Sequence, residues 1–467
     1  MPSTRVTLTF GTGAIDLDVP AGFLAGEPVR PRSMPALPPE GIRKRLREAL
    51  ARPRGRPRLR EMVSGRTVAV LVSDEFRAGL HEHIIEVLCE ELRAGAPSAV
   101  TLICATGTHE PQVYATHVRA WVARHAQGLP YRFLAHSCDD PALVPIGSSA
   151  LGTPVALEPA WLAADVRVYG HESKHHYMNG YSLLDKQVIP GVSARRTVEV
   201  NHKRSLSVDS GPGRSPWHSE PGRQVNPFAE DARDIRAMAE RTRLLADGRR
   251  VACEPCTFAL DMISDKGSLY WAGSGDPDAL CRRAVEQADA QAQFRVTPTR
   301  YVALSPGGPP ACDALYGVQN CFDMAMKGAV LRGGEVLIVA PCDGRPDLPP
   351  DVRGIATSAA SKALFWDTLV ALRHRPLDEA LAWIDTHFEL YLWKTARVLR
   401  NFGEDRLRLY LHCHLPPERL EEGGFIPCPD PQAWIDERAR RGDGLLRVID
   451  NGNKLFLQSA PLPANEG

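Results

Sequence analysis

The sequence predicts an α/β protein of two domains, each with a mostly parallel sheet flanked by helices. Three observations predict it. The chain has 467 residues, too many for one small core. Thr67 to Ser73 (TVAVLVS), Ala99 to Ala105 (AVTLICA) and Val166 to Gly170 (VRVYG) are short apolar runs, the pattern of strands covered on both faces. Polar loops follow them, and helical spacing then resumes, as at Leu80, Ile84, Leu88 and Leu92. In such sheets ligands bind beyond the carboxyl ends of the strands, which makes those loops the candidate site.

In chain order, Val6 to Pro20 alternates apolar and polar around a Gly-Thr-Gly turn and reads as an opening hairpin. The basic run from Arg43 to Arg60 follows Ile42 and includes Leu46 and Leu50 at helical spacing, so it reads as the solvated face of a helix. After His202 a Ser/Gly/Pro-rich insert, SVDSGPGRSPWHSEPGRQ, reads as a surface loop, and Asn226-Pro227 then opens a helix. A second domain is expected from about Phe294. It contains strands at Arg300 to Ser305, Glu335 to Ala340 and Arg408 to His412, with helices around Tyr316 to Val330 and from Leu377 to Leu399. The tail reads as a hairpin about an Asn-Gly turn. The expected boundaries are 1–293, 294–435 and 436–467, the tail packing back on the N-terminal domain, with the active site in the cleft between domains.

Composition narrows the function. Lys plus Arg and Asp plus Glu are each 56, so no net charge points to nucleic acid or a membrane surface. Hydrophobic residues make up 43% and charged residues 24%, ordinary for a soluble enzyme. No apolar run approaches the roughly 20 residues that span a bilayer, and the first residues lack the pattern of a secretory leader. Eleven cysteines without framework spacing suit a reducing cytosol, so a cytoplasmic location is expected, and a homo-oligomer is compatible with the sequence.

The chemistry concentrates between Tyr169 and His202, YGHESKHHYMNGYSLLDKQVIPGVSARRTVEVNH. His171-Glu172-Ser173-Lys174-His175 spells the zincin pattern H-E-x-x-H, which works only on a helix; here it follows a strand and meets Asn179-Gly180. Cys253-x-x-Cys256 has no second pair, and His412-Cys413-His414 sits on an expected strand, so both read as ordinary structural residues. There is no G-x-G-x-x-G after a strand and no P-loop. Asp74 and Arg77 share one strand-end turn, Thr106 and Gly107 the next. Backbone N–H groups and a forked cation there suit the anionic end of a nucleotide-like cofactor.

As an ordered set these residues resemble the lactate racemase family. The family pattern of D-x-T-R, T-G-x-H, then H, K, P-G and N-H is matched by Asp74-Glu75-Phe76-Arg77, Thr106-Gly107-Thr108-His109, His176, Lys186, Pro190-Gly191 and Asn201-His202. The resemblance implies a racemase or epimerase of a 2-hydroxy acid that uses a nickel-pincer nucleotide. Lys186 would carry the cofactor covalently and His202 would ligate nickel. His109 and His176 would be the acid/base pair. Asp74, Arg77, Thr106 and Gly107 would hold the nucleotide. A 2-hydroxy acid and the cofactor-maturation enzymes would be the partners.

Besides Phe76 in the Thr position of D-x-T-R, the chain departs from the pattern in two places. Leu183-Leu184-Asp185 stands where the family has Gly-Gly, and a backbone needing φ > 0 there would be strained by leucine. Lactate-type members have Gln and Lys shortly after a Tyr. Here Tyr316 is followed by Gly317 and Asn320, with Lys327 further on, so the substrate carboxylate lacks its expected cation. A substrate other than lactate is expected, bound near Tyr316 with Lys174 supplying the charge. The rival readings are a zinc hydrolase built on His171, Glu172 and His175, and a binding protein of the same fold without catalysis.

Overall fold

The computed structural model describes residues 2–74, 80–265 and 267–460. The chain divides into two compact units, Ser33–Lys174 with Met178–Gln291, and Met1–Arg32 with His175–Tyr177 and Ala292–Gly467.

The first unit is built on a six-stranded sheet. Its order is Ser268–Gly275, Thr257–Asp265, Val166–Glu172, Thr67–Ser73, Ala99–Ala105, Tyr131–Ala135. All neighbours run parallel except the edge strand Ser268–Gly275, which is antiparallel to Thr257–Asp265. The inner strands Thr67–Ser73 and Ala99–Ala105 are mostly apolar because helices cover them: His81–Gly95 buries Ile84, Ile85, Leu88 and Leu92. Gly170 lets that helix approach, since a Cβ there would lie 2.8 Å from Ile84. Helix Pro39–Ala51 buries Ile42, Leu46 and Leu50, while its basic face pairs Arg43 and Arg47 with Glu40, Glu86 and Glu90. That is the solvated face the spacing predicts. The chain enters the sheet at Thr67–Ser73, runs outward to Tyr131–Ala135, and returns on the other side at Val166–Glu172. The strand order thus reverses beside Thr67–Ser73, and in open parallel sheets ligands bind beyond the carboxyl ends of the strands at such a reversal.

The second unit holds a five-stranded, all-parallel sheet ordered Ile426–Pro427, Arg408–His412, Val330–Val339, Thr299–Leu304, Leu446–Ile449. The opening hairpin forms as expected, Ser3–Phe10 pairing with Gly13–Pro20 about Gly11 at φ 62°. Its apolar face, Val6, Leu8, Leu17 and Val19, packs with Tyr301, Ala303, Leu337, Val339 and Trp434. Residues 1–32 therefore group with the C-terminal residues, against the expected boundary at 293. The tail differs too. Leu446–Ile449 lies parallel to Thr299–Leu304, and Phe456–Ser459 parallel to Gln293–Val296, so they do not form a hairpin. Asn451 in the left-handed region and the single turn Gly452–Lys454 send the chain to a second partner strand. Both strands belong to the C-terminal unit rather than to the N-terminal one.

Two further expectations change. The helix expected over Leu377 to Leu399 is two helices, Leu377–Thr386 and Leu392–Gly403, broken where Tyr391 adopts φ 85°. The Ser/Gly/Pro insert is not a surface loop, because Ser215, Trp217 and His218 are buried. Because the hairpin face fills the C-terminal core, Leu8→Ala should cost about 2–5 kcal/mol in denaturant unfolding. An unchanged midpoint would show the opening residues to be dispensable.

Candidate functional site

Asp74 leaves the carboxyl end of Thr67–Ser73 with its carboxylate buried. Its Oδ2 lies 2.5 Å from His109 Nδ1, and Oδ1 has no hydrogen-bond partner among the described residues. His109 sits on the next strand-end turn, closed by its N–H donating to Thr106 O at 3.0 Å. Gly107 takes φ 59°, donates to Gly191 O at 3.1 Å and lies close against Pro190. The Thr106 hydroxyl donates to His136 O at 2.5 Å. Asp74 thus orients His109, a task the sequence reading did not assign to it. Arg77 lies outside the described residues.

Lys186 and His202 are brought together from two helices, Asp185–Val188 and Arg195–Lys203, and both are buried. Leu184 is helical at φ −54°, and residues 183–186 show no positive φ, so the Leu-Leu pair is unstrained and packed in the core. Asp185 accepts from Arg236 Nε at 2.5 Å and from Trp217 Nε1 at 2.7 Å. The buried Arg236 also bonds Glu240 at 2.8 Å and Asp278 at 2.5 Å. Gly191 has no room for a side chain, since a Cβ would stand 2.2 Å from Gln187 O.

His202 Nδ1 is 2.8 Å from Val198 O, a contact that makes Nδ1 the protonated nitrogen and Nε2 the one with the lone pair. Burial, then the charge of Lys186, pushes His202 down to about 3, so the imidazole is neutral. A neutral imidazole with its second nitrogen fixed is the form that ligates a first-row metal. With the lysine amine whose charge acts on it, this imidazole is of the kind a nickel cofactor would need.

The H-E-x-x-H segment is not a zinc site. His171 ends strand Val166–Glu172 and His175 lies on strand Lys174–His176, so no helix aligns them. No group of three metal-competent side chains occurs among the described residues, Cys253, Cys256, His412 and Cys413 included. Ser173 Oγ instead donates to Asp261 Oδ2 at 2.6 Å, and Glu172 accepts from Ser264 and faces His81 Nδ1 at 3.5 Å. Burial, aided by Glu172, raises Asp261 to about 8.

Of the remaining candidates, His176 and Tyr316 lie in the other unit. His176 is half-buried with its ring stacked on Tyr177 at 4.7 Å, and Tyr177 Oη accepts from Trp393 Nε1 at 2.9 Å. Tyr316 is half-buried, and Lys174, in the first unit, is exposed. The lysine that meets Tyr316 is Lys394, from helix Leu392–Gly403, whose Nζ lies 4.1 Å from the Tyr316 ring and 4.8 Å from that of Tyr177. Its surroundings, burial first and Arg397 second, push its ammonium well below the usual lysine range. Sequence gave no signal for it, since a lysine on an amphipathic helix reads as a solvated position. The structure thus brings Asp74, Thr106, Gly107, His109, Lys186 and His202 into one unit, and His176 and Tyr316 into the other.

Residues 10–213 match the family model described as the lactate racemase N-terminal domain. Two lactate racemases align with the chain. That of Lactiplantibacillus plantarum is 27% identical over 160 residues, 34% of this chain and 37% of the relative. That of Thermoanaerobacterium thermosaccharolyticum is 23% identical over 301 residues, 63% of this chain and 64% of the relative. The chain is thus similar to the lactate racemase family, most directly over its N-terminal residues. Its aligned stretches span less than two thirds of either relative. In fold, it is similar to the lactate racemase apoprotein from T. thermosaccharolyticum, with TM-score 0.76 and 18% identity over 97% of this chain and all of that one. A crystal structure of a protein from Thermotoga maritima gives TM-score 0.63 and 14% identity over 92% of this chain and all of the other.

The buried Asp261 sets a pH dependence. Its folded value lies above the unfolded carboxyl value of about 4, so its contribution is full below pH 4 and declines as pH rises towards 8. Asp261→Asn should flatten the fall in melting temperature between pH 5 and 8. Parallel curves for the two proteins would remove Asp261 as the cause.

Proposed function

We propose that the protein is a racemase or epimerase of a 2-hydroxy acid other than lactate, working with a nickel-pincer nucleotide tethered at Lys186 and ligated by His202. The observation that carries this reading is the buried Lys186–His202 pair, a lysine beside an imidazole kept neutral and fixed in one tautomer. When bound, the nucleotide supplies a reversible acceptor for the C2 hydride. The chain's residues do the rest. Asp74 holds the Nδ1 proton of His109, so Nε2 is the nitrogen that takes the substrate hydroxyl proton and later returns it. His176 performs the same task for the opposite enantiomer. Cofactor-building enzymes are then required partners, and a reducing compartment such as the cytoplasm fits eleven free cysteines. The extended H-E-x-x-H segment speaks against the zinc-hydrolase alternative.

Protein produced alongside those enzymes should carry nickel and a mass increment at Lys186, both lost in Lys186→Ala. An unmodified, nickel-free chain, beside a loaded control racemase from the same cells, would sink the proposal. In the loaded enzyme Asp74→Asn should lower kcat by about 10²- to 10⁴-fold, the usual worth of a general base, with nickel content retained. Turnover within twofold of wild type would remove His109 from the acid/base role.

A further inference from the structure

The ammonium of Lys394 is nearly sealed from solvent, at 1% exposure. It donates to Tyr316 O at 2.7 Å, Asn320 Oδ1 at 2.7 Å and Gln319 Oε1 at 3.2 Å. Those acceptors are all neutral. The nearby carboxylate, Asp323, is taken by Arg397 at 2.9 Å and also faces Lys327 at 3.7 Å. Asp323 is thus engaged by Arg397, and the Lys394 amine meets only neutral acceptors. Leaving a buried charge without a counter-ion is unfavourable, and an incoming anion removes the penalty.

The geometry places that amine, which an anion would hold protonated, beside the acid/base candidate of its own unit. The Tyr177 ring is 4.7 Å from the His176 ring and 4.8 Å from Lys394 Nζ. A 2-hydroxy acid presents its carboxylate one bond from the carbon that bears the hydroxyl, so its two polar groups suit a cation and an imidazole held against one aromatic ring. Asn320, where the family resemblance leads one to expect a lysine, is half-exposed and hydrogen-bonded to Lys394. A carboxylate arriving there would exchange a neutral acceptor for an ionic one.

We propose that Lys394 is the substrate-binding residue that receives the carboxylate of the 2-hydroxy acid, and that the substrate is a monocarboxylate. A second anionic group would meet the rings of Tyr177, Tyr316 and Tyr391, whose faces repel negative charge. The proposal rests on the hydroxy-acid reading given above, so its test separates the two.

Calorimetric titration of 2-hydroxybutanoate and malate into protein made alongside the cofactor-building enzymes reads binding directly. 2-Hydroxybutanoate should bind wild type at least tenfold more tightly than malate does, and Lys394→Met should weaken it at least 30-fold. Methionine fills the same space without the charge, so its melting temperature should hold. Asn320→Asp places a carboxylate against the ammonium, and it should abolish binding while keeping or raising the melting temperature. A merely structural lysine would leave binding intact in that variant. Binding within twofold of wild type in either variant, or equal affinity for malate, would overturn the proposal. Racemisation is assayed on the same preparations. Binding as stated with no 2-hydroxy acid racemised by the loaded wild type would sink the racemase reading and leave the anion receptor standing. Racemisation with KM unchanged in Lys394→Met would overturn the role of Lys394 alone.

Discussion

A carboxylate buried immediately before Lys186 has to be neutralised, and much of the first unit is arranged around doing so. Asp185 is met by Arg236, itself buried and shared with Glu240 and Asp278, and by the indole N–H of Trp217. A buried pair of this kind adds little net stability, but removing either partner strands a charge in the core. Its value is positional. Gln187, next in line, donates to Gly170 O at 2.6 Å, which ties the same turn to the central sheet. The lysine is thereby fixed in direction by its neighbours on both sides.

Two imidazoles in that unit illustrate how surroundings divide labour. His109 is backed by a carboxylate, the arrangement that favours accepting a proton on the far nitrogen. His202 is backed by a backbone carbonyl that fixes its tautomer, and burial, then the charge of Lys186, keeps it neutral. Identical side chains thus suit proton transfer in one place and metal ligation in the other. The second unit adds an ammonium whose hydrogen-bond acceptors are all neutral.

How much of this was readable from the chain depends on whether burial leaves a one-dimensional trace. Thr67–Ser73 and Ala99–Ala105 match their expected bounds because strands covered on both faces are apolar along their whole length. The strand-end loops follow from that, and with them the candidate positions Asp74, Thr106 and Gly107. The tail misled because Asn-Gly is the usual signal of a hairpin, whereas Asn451 here turns the chain towards a different partner strand. Lys394 was invisible because its burial is set by tyrosines from distant segments, which no local pattern encodes. The same holds for Trp217, buried inside a stretch whose composition reads as loop.

The chain passes between the two units at residues 32–33, 174–175, 177–178 and 291–292, so neither unit is one continuous stretch. This governs the order in which the protein can be built. The hairpin Ser3–Pro20 leaves the ribosome before the strands its apolar face covers, which begin only at Thr299 and end at Ile449. Until those strands have emerged, Val6, Leu8, Leu17 and Val19 have no core to enter. The hairpin is thus made well before it can settle, and a chain that terminates ahead of those strands would carry an exposed, strand-forming apolar surface of the kind that aggregates.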